Sequence, residues 1–265
     1  MPMFTYQNSK TFLYVAHKCE QNPDVKHFYG HTHEHYEVFF FVKGNVSFNI
    51  EGNIFKLSSN DIILIPHHQY HCLVLDDVSV YERYVLEIPL DLVPTSLAEV
   101  FTQTQLFNIS ENSLLLEAFH RLDSYQALLT DQEFGKISES VIQEILYLLK
   151  ASLGSSNVQH SYDPLTKRIL AYINENLTKA LTVSDLSEHF YLSKSHIQNV
   201  FYQNMKIGVK SYIVQKKMLL AKTLLQSGKR PHEVAEALGY NDYATFYKNF
   251  KKQYHVSPKA FTVKK

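Results

Sequence analysis

The stretch Pro231-His-Glu-Val-Ala-Glu-Ala-Leu-Gly239, Tyr240-Asn-Asp242, Tyr243-Ala-Thr-Phe-Tyr-Lys-Asn-Phe250 carries the punctuation of two short helices and the turn between them. Proline suits the first helical turn, where its missing N–H is not needed, and glycine suits the left-handed residue that stops a helix. Either Asn241 or Asp242 suits the N-cap of the second helix, because its side-chain oxygen can accept from a free backbone N–H. That helix runs on to Tyr254, and Phe246 and Phe250, four residues apart, predict its buried stripe. Tyr243, Thr245, Tyr247, Lys248 and Lys251 are left for solvent or a partner.

Working outward, the pattern recurs upstream as Thr182-Val-Ser-Asp-Leu-Ser-Glu-His-Phe190, Tyr191-Leu192, Ser193-Lys-Ser-His-Ile-Gln-Asn-Val-Phe201. Thr182 and Ser193 are suited to N-caps, since a hydroxyl accepts from the free N–H groups of a first turn. Ile197, Val200 and Phe201 predict a buried stripe, so Ser195, Gln198 and Asn199 face outward with Ser193 at the helix start. Short hydrogen-bonding side chains of this kind read base edges in a major groove. Between the two units, Val209 to Gln226 reads as one helix, roughly 27 Å long at the α-helical rise. A rod of that length suits two recognition helices about one DNA turn, roughly 34 Å, apart.

One helical hairpin would be a weak signal, because such hairpins are common in all-α proteins. Charge strengthens it. The chain is neutral as a whole, yet residues 161–265 carry 17 Lys and Arg against 7 Asp and Glu, while residues 1–160 carry 9 against 19. A basic half joined to an acidic half is expected when only one half meets a polyanion, and the partner implied is double-stranded DNA.

Residues 164–261 resemble the DNA-binding domain of the AraC/XylS family of bacterial transcription regulators. The resemblance rests on Ala235-x-x-Leu-Gly-Tyr-x-Asp-x-x-x-Phe-x-x-x-Phe-Lys-Lys-x-x-x-x-Ser-Pro258 and on Ala221-Lys-x-Leu-Leu225 in the linker helix. It implies a transcription activator that meets RNA polymerase, with base-reading residues at Ser195, Gln198 and Asn199 in the first unit and Tyr243, Thr245 and Lys248 in the second. The sequence departs from the family pattern at Lys206 and His255, where glycine is usual after each recognition helix, at Lys217 for a frequent arginine, and at Phe261-Thr262 for Tyr-Arg. A non-glycine residue in a left-handed turn costs about 1 kcal/mol.

From Thr11 to about Ile88 the chain is rich in β-branched and aromatic residues, cut by Lys43-Gly44-Asn45, Glu51-Gly52-Asn53 and Ser58-Ser-Asn-Asp61. This spacing predicts an antiparallel sandwich or barrel over about residues 5–92. Within it, His31-Thr-His33-Glu-His-Tyr-Glu37 and Pro66-His-His-Gln-Tyr-His71 resemble the two cupin motifs. The resemblance names His31, His33, Glu37 and His71 as the ligand set if a metal is bound, while sensory barrels of the resembled regulators mostly take a small effector without one. The expectation is therefore an effector pocket with no cofactor. His31, His33, Tyr36, Glu37, His71 and Tyr84 are its candidate polar residues, and Phe39, Phe41 and Phe48 its candidate walls. Aromatic faces with scattered polar groups suit a sugar.

From Pro94 to about Leu153 the period becomes helical, with Leu114, Leu115, Ala118 and Leu122, then Val141, Ile145, Leu148 and Leu149, as apolar faces. These helices either pack on the barrel or, as the family resemblance implies, form a homodimer interface. The organisation expected is a sensory and dimerisation domain over 1–153, a polar linker over 154–162 and a double helix-turn-helix domain over 163–265. No apolar run approaches eighteen residues, and Cys19 and Cys72 are too few for a disulfide framework, so a cytoplasmic location away from membranes is expected. The function expected is a non-enzymatic, ligand-responsive transcription regulator. The alternative is a cupin metalloenzyme with a helical appendage, which would have no use for a strongly basic half with duplicated recognition patterns.

Overall fold

The computed structural model describes residues 4–21, 23, 30–75, 80–152, 161–162 and 164–261. Its strands are β1 (Phe4–Gln7), β2 (Tyr14–Glu20), β3 (Tyr36–Lys43), β4 (Val46–Ile50), β5 (Asn53–Lys56), β6 (Asp61–Ile65), β7 (His71–Leu75), β8 (Tyr81–Ile88), β9 (Gln105–Asn108) and β10 (Ser161–Tyr162). They form a six-stranded sheet in the order β1-β2-β8-β3-β6-β9 and a four-stranded sheet in the order β10-β5-β4-β7, antiparallel throughout. Phe39, Phe41, Ile63 and Ile65 of the first sheet pack against Val46, Phe48, Ile50 and Phe55 of the second, so the expected barrel is present as two facing sheets. Among the described residues no ladder joins them into a closed cylinder.

The consecutive aromatics of β3 follow from its position. Helices α1 (Ser113–Leu128) and α2 (Asp131–Ala151) cover the outer face of the six-stranded sheet, so β3 is buried on both sides and needs no polar alternation. Phe39 and Phe41 turn in between the sheets, and Phe40 turns out to meet Phe119 of α1 with ring centroids 4.6 Å apart. The helical region expected from Pro94 begins only at Ser113: residues 95–101 are a 3-10 helix, and β9 then pairs with β6. Leu115, Ala118, Leu122, Val141, Ile145 and Leu149 are buried as the helical period predicts, whereas Leu114 is exposed. A capping box of Thr130 and Glu133 starts α2.

The C-terminal half is helical: α3 (Pro164–Glu175), α4 (Val183–Phe190), α5 (Lys194–Met205), α6 (Val209–Gln226), α7 (Pro231–Ala237) and α8 (Tyr243–Tyr254). Every cap read from the sequence is used. The Thr182 hydroxyl accepts from the Asp185 N–H and Ser193 from His196, while the Asp242 carboxylate accepts from Thr245; each such cap contributes about 1 kcal/mol. Gly239 is left-handed at φ 68, as are Tyr191, Lys206 and His255 at φ 55, 55 and 60. Lys206 and His255 thus hold the turn that the family gives to glycine. In α6 the buried side is Val209, Tyr212, Ile213, Lys217, Met218, Leu219, Ala221 and Leu225, and Leu220 and Leu224 are half-buried. Buried Lys217 donates to the carbonyls of Lys179 and Leu238, both at 2.7 Å, tying the two helical units together.

Of the expected linker, residues 154–160, and Asp163 beyond it, lie outside the described residues, as does Thr262. Its last two residues are strand β10, paired with Asn53 and Ile54 of β5. The two halves also meet directly. Tyr70 and Cys72 belong to the same apolar cluster as Ile197, Phe201 and Met205 of α5 and Tyr212 of α6.

Candidate effector pocket and nucleic-acid interface

A cavity of about 320 Å³ opens between the sheets, within the range that holds a small molecule. Its walls include Phe39, Phe48 and Tyr81, and its polar side chains include Lys18, His31, Glu37, His71, Arg83 and Glu87. Of the residues named from the sequence, His31, Glu37, His71, Phe39 and Phe48 line it, and His33 hydrogen-bonds to Glu37 beside it. Phe41 lies between the sheets against Tyr81, at a centroid distance of 6.3 Å.

Tyr36 and Tyr84 belong to the other side of the six-stranded sheet. Successive strand residues face opposite ways, so Tyr36 cannot share a face with Glu37, nor Tyr84 with Arg83 and Val85. Tyr36 stacks on Phe101 at 4.3 Å, and the Tyr84 hydroxyl donates to Asp123 of α1. Asp123 also pairs with His17 Nδ1 at 2.7 Å, and the other ring nitrogen of His17 meets Glu82 at 3.0 Å. Burial works against charge on His17, yet Asp123 and then Glu82 outweigh it and leave its pKa raised. The same alternation identifies what the sequence reading missed, because Tyr81, Arg83, Val85 and Glu87 share the inward face of β8.

His31, His33, Glu37 and His71 are brought together, their ligand atoms all within 4.8 Å of one another. Reciprocal backbone hydrogen bonds of 3.0 Å between His31 and His71 hold the two segments side by side. His33 Nε2 and His71 Nε2 approach the same Glu37 Oε2, at 2.9 and 3.2 Å. Burial opposes ionisation of Glu37, but the charge of His71 and the His33 hydrogen bond hold its carboxyl well below the usual carboxylate range. His33 is raised, its pairing with Glu37 overcoming burial. His67 and His68 are lowered, burial being the main cause.

On the helical half, Ser193, Ser195, Gln198 and Asn199 of the first unit and Thr245, Tyr247, Lys248 and Lys251 of the second are exposed. Tyr243 is half-buried and stacks on His232 at 3.9 Å. Two of these groups are already engaged: Ser193 caps α5, and the Thr245 hydroxyl donates to Asp242 at 2.8 Å. At the far end of α5 the N-terminal sheet supplies hydrogen bonds. The Asn49 side-chain amide donates to the Asn204 carbonyl, and the Tyr70 hydroxyl to the Met205 carbonyl at 3.2 Å. The tip Glu51-Gly52 adopts the φ > 0 pair of a tight hairpin, at 47 and 83. Its Glu51 carboxylate accepts from Tyr212 and from Lys216 at 2.9 Å. Lys222 reaches Glu34 at 2.6 Å. Nothing in the sequence pattern marks Asn49, Glu51 or Tyr70 as interdomain residues.

Among the described residues, no helix is long and apolar enough to cross a membrane. The family profile of the AraC-like ligand-binding domain matches residues 17–161, more than half of the chain, and a helix-turn-helix domain profile matches residues 186–263. The Msm operon regulatory protein of Streptococcus mutans is 23% identical over 94% of this chain and 92% of its own length. An HTH-type transcriptional regulator of Bacillus subtilis is 26% identical over 82% of this chain and 81% of its own. Among solved structures, the C-terminal domain of a two-component response regulator from Fusobacterium nucleatum is 34% identical, covering 37% of this chain and 96% of that one, with a TM-score of 0.35. The strand-rich half with its ligand-binding profile and the capped pair of helix-turn-helix units lead to one conclusion: the chain belongs to the AraC family of transcription regulators.

Proposed function

We propose that a small polar molecule, a sugar by the character of the walls, binds between the sheets and changes the affinity of α5 and α8 for a DNA operator. One observation carries this reading. The polypeptide around β7 serves the cavity and the recognition helix at once, His71 facing Glu37 in the cavity wall while Tyr70 and Cys72, on either side, contact the end of α5. A ligand that shifts β7 therefore acts on α5 through a single peptide unit. By linkage, operator and effector must then alter each other's affinity by the same factor.

Ser195, Gln198 and Asn199 with Tyr243, Thr245 and Lys248 are the proposed base readers, and Ser193, Tyr247 and Lys251 their flanking contacts. The chain acts as a homodimer through α1 and α2, where Leu114, Leu128 and Tyr147 are 56, 80 and 54% exposed, and works in the cytoplasm as an activator meeting RNA polymerase. It is a regulator and not an enzyme, in keeping with its relatives.

The test is a titration of the full chain on labelled duplex from upstream of its own and neighbouring genes, with a panel of mono- and disaccharides. The expected result is one sugar that changes affinity by about fivefold or more. A panel without effect, alongside selective DNA binding, would refute the carbohydrate and leave the regulator.

A further inference from the structure

We propose that the seam between the two helix-turn-helix units is a second ligand site, which takes a small organic acid with an apolar body and opposes DNA binding when filled. The site is separate from the cavity between the sheets and independent of the effector proposed there; its effect on DNA rests on the reading of α8 as a recognition helix. Its first basis is space. A cavity of about 370 Å³ lies where α4, α6 and the turn before α8 meet, a volume suited to a small molecule. Leu181 and Val183 fringe the apolar core of the first unit, and Val214 and Tyr240 fringe that of the second. All four line the cavity and are half-buried, so an apolar body seated there covers surface that the fold itself leaves open.

The second basis is a buried cation. Lys217 lines the same cavity and is 5% exposed. An ammonium has three donors, and two of them are used on the Lys179 and Leu238 carbonyls. Beside these it has only the face of Tyr240, with the ring centroid 5.2 Å away. Among the described residues no carboxylate offsets its charge, and burial lowers its pKa. A buried charge without a counter-charge is costly, and an entering anion supplies one. Exposed Lys210 adds a second cation, and the Asp242 carboxylate at the rim is already taken by the N–H and hydroxyl of Thr245. A carboxylate therefore meets two cations, while a neutral sugar lacks the charge and a DNA phosphate lacks the apolar body.

The position gives the site its consequence. Asn241, Asp242 and Thr245, at the start of α8, line the cavity together with residues of the first unit. The first residues of a recognition helix are those that meet base edges. A molecule held there occupies the approach to α8 and wedges the seam that sets the spacing of α5 and α8. By linkage, acid and operator weaken each other by the same factor.

The chain contains no tryptophan, so the fluorescence of indole-3-acetate is read against tyrosine alone. The full chain, without DNA, is titrated into indole-3-acetate and into its neutral twin indole-3-acetamide, with anisotropy as the signal. Saturable binding of one acid per chain is expected, about tenfold or more tighter than the amide. Val214→Phe, which fills the cavity from a half-buried wall, and Lys217→Met are each expected to weaken it at least about tenfold, and Lys210→Gln by a smaller factor. Because Lys217 also ties the units together, circular dichroism and melting check that variant, and Val214→Phe supplies a readout that leaves the tie intact. On the duplex selected from upstream of the gene, the acid is expected to lower the affinity of the parent about fivefold or more and to leave Val214→Phe unchanged. Equal binding of acid and amide, or unchanged binding by folded Val214→Phe and Lys210→Gln chains, would overturn the site. An acid that binds without altering operator affinity would overturn its opposition to DNA. Binding of the acid is read without DNA, so its failure is distinct from a failure of operator recognition.

Discussion

Tyr70 and His71 are adjacent in the chain and serve opposite faces of the four-stranded sheet: the Tyr70 hydroxyl donates to the Met205 carbonyl at the end of α5, at 3.2 Å, while His71 Nε2 stands 3.2 Å from Glu37 in the cavity wall. The same division recurs on β4, where Phe48 lines the cavity and Asn49 donates to the Asn204 carbonyl. The last carbonyls of a helix have no partner within it, so these donors stabilise α5 where it needs them. Tyr70→Phe removes one donor and keeps the ring. The expected cost is about 0.5 to 1.5 kcal/mol in urea denaturation, with the secondary structure unchanged. A variant as stable as the parent would mean that the contact does not hold the two halves together.

Gly239 combines a left-handed backbone with close approach. A Cβ there would stand 2.4 Å from the Lys179 carbonyl carbon and 2.6 Å from the Ala180 nitrogen, both backbone atoms. Gly239→Ala is expected to cost about 2 to 4 kcal/mol from left-handed strain and overpacking, and Gly239→Val more. Thermal melting checks this, and a melting temperature within error of the parent would refute the turn.

Lys206 and His255 pose the opposite case. Both are exposed and left-handed, so glycine relieves strain at little loss of contact. Lys206→Gly and His255→Gly are each expected to raise stability by up to about 1 kcal/mol, measured by denaturant midpoint. Destabilisation would show that these side chains make contacts worth more than the strain.

The His17 pair with Asp123 and Glu82 joins β2 and β8 to α1. Its pKa is raised on folding, so the protonated ring stabilises the native state fully below its ordinary value near 6.5, and that contribution is lost as pH climbs through the raised value. His33 is raised as well, while His67 and His68 are lowered, so the measurement is a difference. Compared with the parent, His17→Gln is expected to lose most stability at about pH 6 and progressively less above it. A pH-independent gap would refute a charged His17.

The helical half was legible because its signals are local. Thr182, Ser193, Gly239 and Asp242 each act within a few residues of themselves, and the structure uses each as its chemistry suggests. The strand half was legible in class and misread in facing: Tyr36 and Tyr84 look like pocket residues by chemistry, and the two-residue alternation beside Glu37 and Arg83 excludes them. Residues 94–112 fall in the stretch expected to be helical from Pro94, yet Leu97, Val100 and Phe101 sit in a 3-10 helix packed against α2 and β6, and Gln105–Asn108 is drawn into a strand by β6. The contacts of Asn49, Glu51 and Tyr70 with α5 and α6 span more than 130 residues of chain, and no sequence period encodes them.

The most direct measurement is binding of the full chain to duplex from upstream of its gene and its neighbours, against random duplex, over a salt series. The account requires sequence-selective, salt-dependent binding, with Gln198→Ala and Lys248→Ala each costing about 1 to 3 kcal/mol on the selected site and far less on random duplex. No preference over random duplex, or equal losses on both, would contradict it.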